Sequence, residues 1–139
     1  MLYKPHKDEA YIDESSYPVQ AAEWIKENLN LSEITLYNEY NYGSYLIYQD
    51  IPVFIDSRCD LYLPEFNENV YVFKDFLNLN NMNIKNMEEK IEEYGFTHFI
   101  VSNGVKMNMY LDLKPVEYKK IYPNDKVSDN NFSIYERVK

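Results

Sequence analysis

The sequence predicts an α/β fold, a three-layer sandwich with a mostly parallel, Rossmann-like sheet and a C-terminal antiparallel hairpin. Short apolar segments of strand type alternate with amphipathic segments in which apolar residues recur every three or four positions. Residues 51–55 contain Val-Phe-Ile without alternation, which is typical of a strand buried on both faces in a parallel sheet. We therefore expect residues 34–37, 53–55 and 97–102 to be adjacent parallel strands.

Composition limits the function classes. The 139 residues suit one globular domain (17–139) behind a flexible lead-in (1–16), and no stretch approaches the ~20 apolar residues of a membrane helix. A net charge of −9 argues against a nucleic-acid partner, because phosphate backbones are bound by Lys and Arg. Cys59 is the single cysteine, so an internal disulfide and a cysteine metal cluster are excluded. No signal peptide is expected at Met1.

The first half begins with a helix from Pro18, because Pro18, Ala22, Ile25 and Leu29 share one face. Ser16 is its expected cap. Trp24 on this helix is either a core anchor or a lid over a site. A strand at 33–37, a loop at 38–42, a short helix at 45–48 opened by Gly43, and a strand at 51–55 follow.

The second half is predicted from the same periodicities. A helix starts near Asn67, and a second helix reaches Tyr94, where Gly95 ends it with a positive φ. Residues 97–102 are the clearest strand, with an apolar triplet at the centre. A helix at 105–113 and two strands at 116–122 and 132–138 complete the chain.

Polar residues follow two of the predicted strands. In open α/β sheets, ligands bind outside the carboxyl ends of the strands, which nominates Asn38, Gly43, Asp56, Arg58 and Asp60. Two interpretations stay open for the last three: an ion-pair staple in which Arg58 fixes a turn, or a site for binding or acid–base chemistry.

Other chemistry is not indicated by the sequence. It contains no nucleotide-binding glycine motif and no nucleophile elbow, so we expect no cofactor and no metal. His98 lies within a predicted buried strand and is interpreted as a core histidine. Cys59 has no obvious partner histidine, which argues against a thiolate nucleophile.

Three segments resemble a known family. YPVQAAEWIKEN, LYNEYNYGSYLIY and VFIDSRCDLY are similar to a recurrent tail of bacterial polytopic membrane glycosyltransferase-like proteins, the GT-C or protein mannosyltransferase-like class. The later segments EKIEEYGFTHFIV, YKKIYPND and FSIYERV resemble the same tail. Ser44 and Ser57 depart from it, because the family pattern usually has glycine there. The ligand-binding candidates matched to these motifs are Asn38, Tyr42, Gly43, Asp56, Arg58, Asp60 and Tyr62.

The resemblance implies a soluble, extracytoplasmic, C-terminal domain of such a membrane protein. In that class the catalytic acid lies in a loop between transmembrane helices, which this chain does not contain. We therefore expect a non-catalytic accessory domain that positions or binds acceptor, glycan or partner, with the transmembrane part of the parent protein and a polyprenyl-phosphate-linked sugar as candidate partners. The alternative is a small-molecule-binding module or a small enzyme that uses Asp56, Arg58 and Asp60.

Overall fold

The computed structural model describes residues 16–55, 72–82 and 85–138. Within these ranges the chain forms five α-helices, four β-strands and one turn of 3-10 helix at Tyr40–Tyr42. In chain order the elements are α1 (Val19–Asn28), β1 (Leu36–Tyr37), α2 (Gly43–Tyr48), α3 (Val72–Asn80), α4 (Met87–Tyr94), β2 (His98–Ser102), α5 (Lys106–Asp112), β3 (Tyr118–Tyr122) and β4 (Phe132–Arg137).

The four strands form one mixed sheet in the order β1-β2-β4-β3. β1 and β2 run parallel, and Leu36 lies opposite His98. β4 runs antiparallel to β2 over five residue pairs. β3 is antiparallel to β4, with an irregularity between Lys120 and Tyr122. One pair of strands is therefore parallel and two pairs are antiparallel.

The prediction of a mostly parallel, Rossmann-like sheet is wrong. Strand β2 is buried along most of its length, yet its longest pairing is with the antiparallel strand β4. Burial on both faces depends on the helices that cover a sheet and does not report the direction of the neighbouring strands. The antiparallel pairing of the two C-terminal strands is confirmed. Of these two strands, β3 is an edge strand of the sheet, whereas β4 lies between β2 and β3.

Residues 53–55, expected as a third parallel strand, form no strand. The backbone of residues 51–55 is irregular, and Pro52 in this segment has no N–H to donate to a ladder. Ile51 and Ile55 are nevertheless buried. The apolar run therefore reflects burial of side chains without strand pairing. A side chain takes the place of a neighbouring strand, as described below.

Two hydrophobic cores lie on opposite faces of the sheet. Successive residues of β2 alternate between them, since Phe99 and Val101 belong to one core and Ile100 to the other. The first core packs against α3, α4 and α5, and the second against α1 and α2. Tyr37 lies at the centre of the first core, with its ring 5.4 Å from that of Phe96.

The helices form close to where their periodicity predicts them. Gly95 ends α4 with φ of 72°, the left-handed conformation that a glycine adopts at little cost, which confirms the prediction for this position. Asn86 caps the other end of α4, because its side-chain oxygen accepts the backbone N–H of Glu89 at 3.0 Å. The N-cap position of α1 is occupied by Pro18, so Ser16 is not the N-cap residue.

Hydrogen bonds from tyrosine to carboxylate connect many elements. Tyr118 on β3 donates to Glu88 on α4 at 2.8 Å, and Tyr94 donates to Asp75 on α3 at 2.6 Å. Three more pairs of this kind are Tyr110 with Glu88, Tyr122 with Asp129, and Tyr135 with Asp112. In these pairs the tyrosine ring packs into a core and its hydroxyl reaches an acid nearer the surface. The many tyrosines and the many acids of the chain thus contribute to the same hydrogen bonds.

Candidate functional site

The parallel strands β1 and β2 end at the same edge of the sheet, where the sequence predicts binding. Asn38 and Glu39 follow β1 directly, and Ser102 is the last residue of β2. Both residues after β1 are buried, with Asn38 0% and Glu39 6% exposed. This edge therefore holds polar side chains that are shielded from water.

The Asn38 side chain acts as a substitute for a peptide group of a neighbouring strand. Its Oδ1 accepts the backbone N–H of Phe54 at 2.7 Å and, more weakly, that of Ile55 at 3.4 Å. Its Nδ2 donates to the carbonyl oxygens of Ile55 at 2.7 Å and of Glu39 at 2.9 Å. These four contacts use both donors and both acceptor positions of the amide. Asn38 thus ties residues 54–55 to the end of β1.

Glu39 is a buried carboxyl group held by the end of β2. Its Oε1 accepts the hydroxyl of Ser102 at 2.6 Å and the backbone N–H of Ser102 at 3.3 Å. Burial raises the pKa of the Glu39 carboxyl above its usual range, and the hydrogen bonds from Ser102 oppose that shift. The folded protein therefore favours the protonated form of this residue.

Tyr42 and Gly43 lie next to this carboxyl group. The Tyr42 hydroxyl is completely buried and donates to the carbonyl oxygen of Ile100 at 2.9 Å. Burial, followed by the charge of Glu39, raises the pKa of Tyr42. Gly43 is buried with ordinary helical φ and ψ of −60° and −38°, so its position does not require the left-handed conformation. The hydrogen bond from Tyr42 to Ile100 ties the start of α2 to β2.

Four of the seven predicted site residues, Asp56, Arg58, Asp60 and Tyr62, lie outside the described residues. The other three, Asn38, Tyr42 and Gly43, are buried in the segment that follows β1, and no hydrogen bond between them is seen among the described residues. The staple and the binding interpretation of Arg58 both stay predictions. What the structure adds is the point from which that segment departs, since Ile55 is bonded to Asn38 through its own N–H and carbonyl groups.

Glu39 and Ser102 were not among the predicted site residues. Glu39 follows Asn38 at the end of one predicted strand, and Ser102 is the last residue of another. Both positions lie at carboxyl ends of strands, where the sequence analysis expected ligands to bind. Separate polar contacts hold the residues that follow Ser102. The Ser133 hydroxyl donates to Asn103 at 2.6 Å, and Asn108 accepts the backbone N–H of Gly104 at 2.9 Å. These bonds fix the turn between β2 and α5.

The arrangement places a buried carboxyl group between the ends of two strands and ties those ends together. His98, interpreted as a core histidine, is 7% exposed and lies at the opposite end of β2, with its Nδ1 2.9 Å from the Thr97 hydroxyl. Burial lowers the pKa of His98. Among the described residues, no group of three or more His, Cys, Asp or Glu side chains is placed to hold a metal ion.

A separate groove of about 420 Å³ lies on the surface between α1 and the loop that joins β3 to β4. It is lined by Trp24, Glu27 and Asn28 on the helix side and by residues 124–127 on the loop side. Trp24 is half-buried and packs against Tyr122, with ring centroids 5.6 Å apart. Trp24 therefore packs against the second core and also lines a groove, whereas its interpretation as a lid over a site stays a prediction.

The fold is that of a mixed α/β domain with a four-stranded mixed sheet. No protein-family model, no curated protein and no solved structure matches this chain. The resemblance to the membrane glycosyltransferase-like class therefore stays a prediction that rests on its motif segments. In the part of the chain that is described, no helix combines the length and the apolar character needed to cross a lipid bilayer.

Proposed function

We propose that this chain is a non-catalytic accessory domain of a membrane glycosyltransferase-like protein, in which it positions or binds acceptor, glycan or partner. The proposed location is the extracytoplasmic face of the membrane, next to the transmembrane part of the parent protein. A sugar linked to polyprenyl phosphate is the proposed small partner. The proposal starts from the sequence resemblance and gains support from one structural observation.

That observation is the set of four hydrogen bonds made by Asn38. Two motif segments carry most of the resemblance, one from Asn38 to Leu46 and the other from Phe54 to Tyr62. Asn38 opens the first segment and bonds the backbone of Phe54 and Ile55, which open the second. Residues that are 16 and 17 positions apart thus form one unit at the edge of the sheet where ligands bind in α/β folds.

This unit supports a binding role for the residues that follow Ile55 in the chain. A guanidinium such as that of Arg58 can bind a phosphate or carboxylate through two parallel hydrogen bonds. A binding segment that starts from a fixed scaffold loses less conformational entropy when its ligand is bound. Asn38 provides that fixed starting point.

Calorimetric titration of the purified chain with a short-chain prenyl-phosphate sugar tests the proposal. We expect saturable binding that is lost in Arg58→Ala, with an unchanged melting temperature. Lys119→Ala, which removes one positive charge from the exposed part of the edge strand β3, is the matched control and should bind as the parent does. If Arg58→Ala instead melts much earlier and shows non-additive coupling with Asp56→Asn, the residue is a structural staple and the binding role is wrong.

The non-catalytic part of the proposal needs its own assay. We expect no transfer of sugar from a prenyl-phosphate donor to any acceptor by the purified chain, with or without divalent metal. Transfer by the purified chain would contradict the proposal. Turnover of another substrate that is lost in Asp56→Asn would favour the small-enzyme alternative.

A further inference from the structure

The groove beside Trp24 combines one aromatic ring with several polar side chains. Trp24 and Glu27 contribute from α1, one helical turn apart. Asn124, Asp125 and Lys126 contribute from the opposite wall. Its volume of about 420 Å³ lies within the ~300–1,000 Å³ of small-ligand sites. None of these residues belongs to the group of polar side chains around Asn38 at the carboxyl ends of β1 and β2.

Contacts within the protein hold both walls of the groove. Trp24 is held by its contact with the fully buried ring of Tyr122. On the loop side, Asn124 Oδ1 accepts the backbone N–H groups of Lys126 at 2.9 Å and Val127 at 3.1 Å. The backbone N–H of Asn124 also donates to the carbonyl oxygen of Val127 at 3.1 Å. Fixed walls reduce the entropy lost when a ligand binds.

We infer that this groove binds an uncharged sugar ring that stacks on Trp24. A sugar ring presents C–H groups on its face, and these pack against the electron-rich face of an indole. Its hydroxyl groups lie around the edge of the ring, where carboxylates and amides can accept and donate hydrogen bonds. Trp24 supplies the platform, and Glu27, Asp125 and Asn124 supply polar groups of this kind on both walls.

The charges of the groove favour an uncharged ring over charged ligands. Glu27 and Asp125 would repel a uronic acid or a sugar phosphate, and the whole chain carries a net charge of −9. A cation could stack on Trp24, but Lys126 lines the same groove, and one aromatic ring does not form a cage around an ammonium group. This inference uses other residues than the proposed function, so either can fail while the other stands.

Tryptophan fluorescence gives a direct test, because Trp24 is the only tryptophan of the chain. The full chain would be titrated with glucose, mannose, N-acetylglucosamine and maltose, with excitation at the red edge where tyrosine does not absorb. We expect a saturable change in Trp24 emission for at least one of these sugars, with a dissociation constant on the order of 1 mM. Glucuronate and choline, as anionic and cationic probes, should bind more weakly.

Variants on both walls separate this groove from any other place on the protein. Glu27→Ala and Asp125→Ala should each weaken sugar binding about fivefold through the loss of a hydrogen bond. Glu23→Ala, which removes the same charge from an exposed position of α1 that does not line the groove, should leave the affinity unchanged. Circular dichroism confirms that the variants fold.

Three outcomes would overturn the inference. The first is no change in emission with any uncharged sugar at concentrations far above the expected constant. The second is stronger binding of glucuronate or choline than of every uncharged sugar. The third is an unchanged affinity in the double variant Glu27→Ala, Asp125→Ala, since the sugar would then be bound elsewhere. Arg58→Ala should not alter the emission response, which keeps this test apart from that of the proposed function.

Discussion

At the scale of single residues, the buried hydroxyls of Tyr37 and Tyr42 offer a matched comparison. Both side chains are completely buried. The Tyr42 hydroxyl donates to the carbonyl oxygen of Ile100, whereas that of Tyr37 has no hydrogen-bond partner among the described residues. A buried polar group without a partner costs free energy, whereas a satisfied one contributes to stability.

Tyr37→Phe and Tyr42→Phe should therefore change stability in opposite directions. We expect Tyr42→Phe to lower the free energy of unfolding by about 1 kcal/mol, because the Ile100 carbonyl oxygen loses the Tyr42 donor. Tyr37→Phe should leave stability unchanged or raise it. Urea unfolding monitored by circular dichroism measures both. A clear loss of stability in Tyr37→Phe would show that this hydroxyl has a partner outside the described residues.

Glu39 permits a prediction about pH. Its pKa is raised in the folded state by burial, so its contribution to stability is fully present below the unfolded pKa of ~4.5 and is lost as the pH rises through the folded pKa. Glu39→Gln keeps an oxygen that accepts from Ser102 and cannot ionise. We expect this variant to melt higher than the parent at pH 7 and to lose that advantage at pH 4.

The comparison between variant and parent at each pH isolates Glu39, because all other acids titrate in both proteins. Thermal melts at several pH values between 4 and 7 provide the measurement. An equal difference in melting temperature at every pH would mean that the pKa of Glu39 is not raised by folding.

At the scale of elements, the side chain of Asn38 connects residues 54–55 to β1, and the apolar pattern of the sequence does not predict this connection. Residues 51–55 have the apolar composition of a buried strand, and the same composition arises whether the neighbour is a strand or a side-chain amide. The unbroken apolar run predicted burial of residues 53–55 in a strand. Ile55 is buried, Val53 and Phe54 are half-buried, and the predicted strand is wrong. Which hydrogen-bonding groups lie near residues 51–55 depends on the folded chain. A short window of the sequence does not contain that information.

Other elements were predictable for the opposite reason. The end of α4 at Gly95 depends on one local requirement, a residue that tolerates positive φ, and the prediction is confirmed. β2 was predicted because an apolar triplet, Phe99-Ile100-Val101, lies at its centre. The order β1-β2-β4-β3 was not predictable, because apolar patterning does not distinguish a parallel from an antiparallel neighbour. At the site, Asn38 was found from its place after β1, whereas the pairing of Glu39 with Ser102 requires the three-dimensional register.

Asn38→Ala should release residues 54–55 from the sheet edge. The change leaves the N–H of Phe54 and the carbonyl oxygen of Ile55 without the bonds that Asn38 makes, at a cost of about 3 kcal/mol. We also expect faster hydrogen exchange at the amides of Phe54 and Ile55. Asn28→Ala is the control. Asn28 is exposed, and within the described part of the chain its side chain bonds the Trp24 carbonyl oxygen of the same helix, so it should shift stability by at most ~0.5 kcal/mol. Unaltered exchange at residues 54–55 would contradict the role of Asn38.

At the scale of the whole molecule, tyrosine and acid residues act together. The chain has 15 tyrosines and an excess of nine negative charges. Tyrosine hydroxyls on α4, α5, β3 and β4 donate to carboxylates on α3, α4, α5 and the β3–β4 loop, so these pairs join helices to one another and to the sheet. A hydroxyl can donate only while it keeps its proton. The protonation of tyrosine is therefore a condition for the packing of several elements.

This dependence predicts unfolding in alkali. Burial, followed by nearby acids, raises the pKa of the buried residues Tyr37, Tyr42, Tyr118 and Tyr135. Because the folded state favours the protonated form, their contribution to stability is fully present below the unfolded pKa of ~10 and is lost as the pH rises through the folded pKa. Each such group lowers the free energy of unfolding by about 1.4 kcal/mol per pH unit above ~10. Several such groups acting together account for a substantial part of the ~5–15 kcal/mol by which a typical domain is stable.

We therefore expect one cooperative transition above pH ~10, in which tyrosinate absorbance and the loss of the circular dichroism signal occur together. Tyr118→Phe tests the cause. The variant should be less stable at pH 7, because Glu88 loses one donor, and its stability should fall less steeply with pH in alkali, because one buried ionisable group is gone. If all tyrosines ionise while the circular dichroism signal persists, the buried hydroxyls do not hold the fold. Equal slopes for the parent and for Tyr118→Phe would exclude Tyr118 as a contributor, since the slope counts the protons that folding retains.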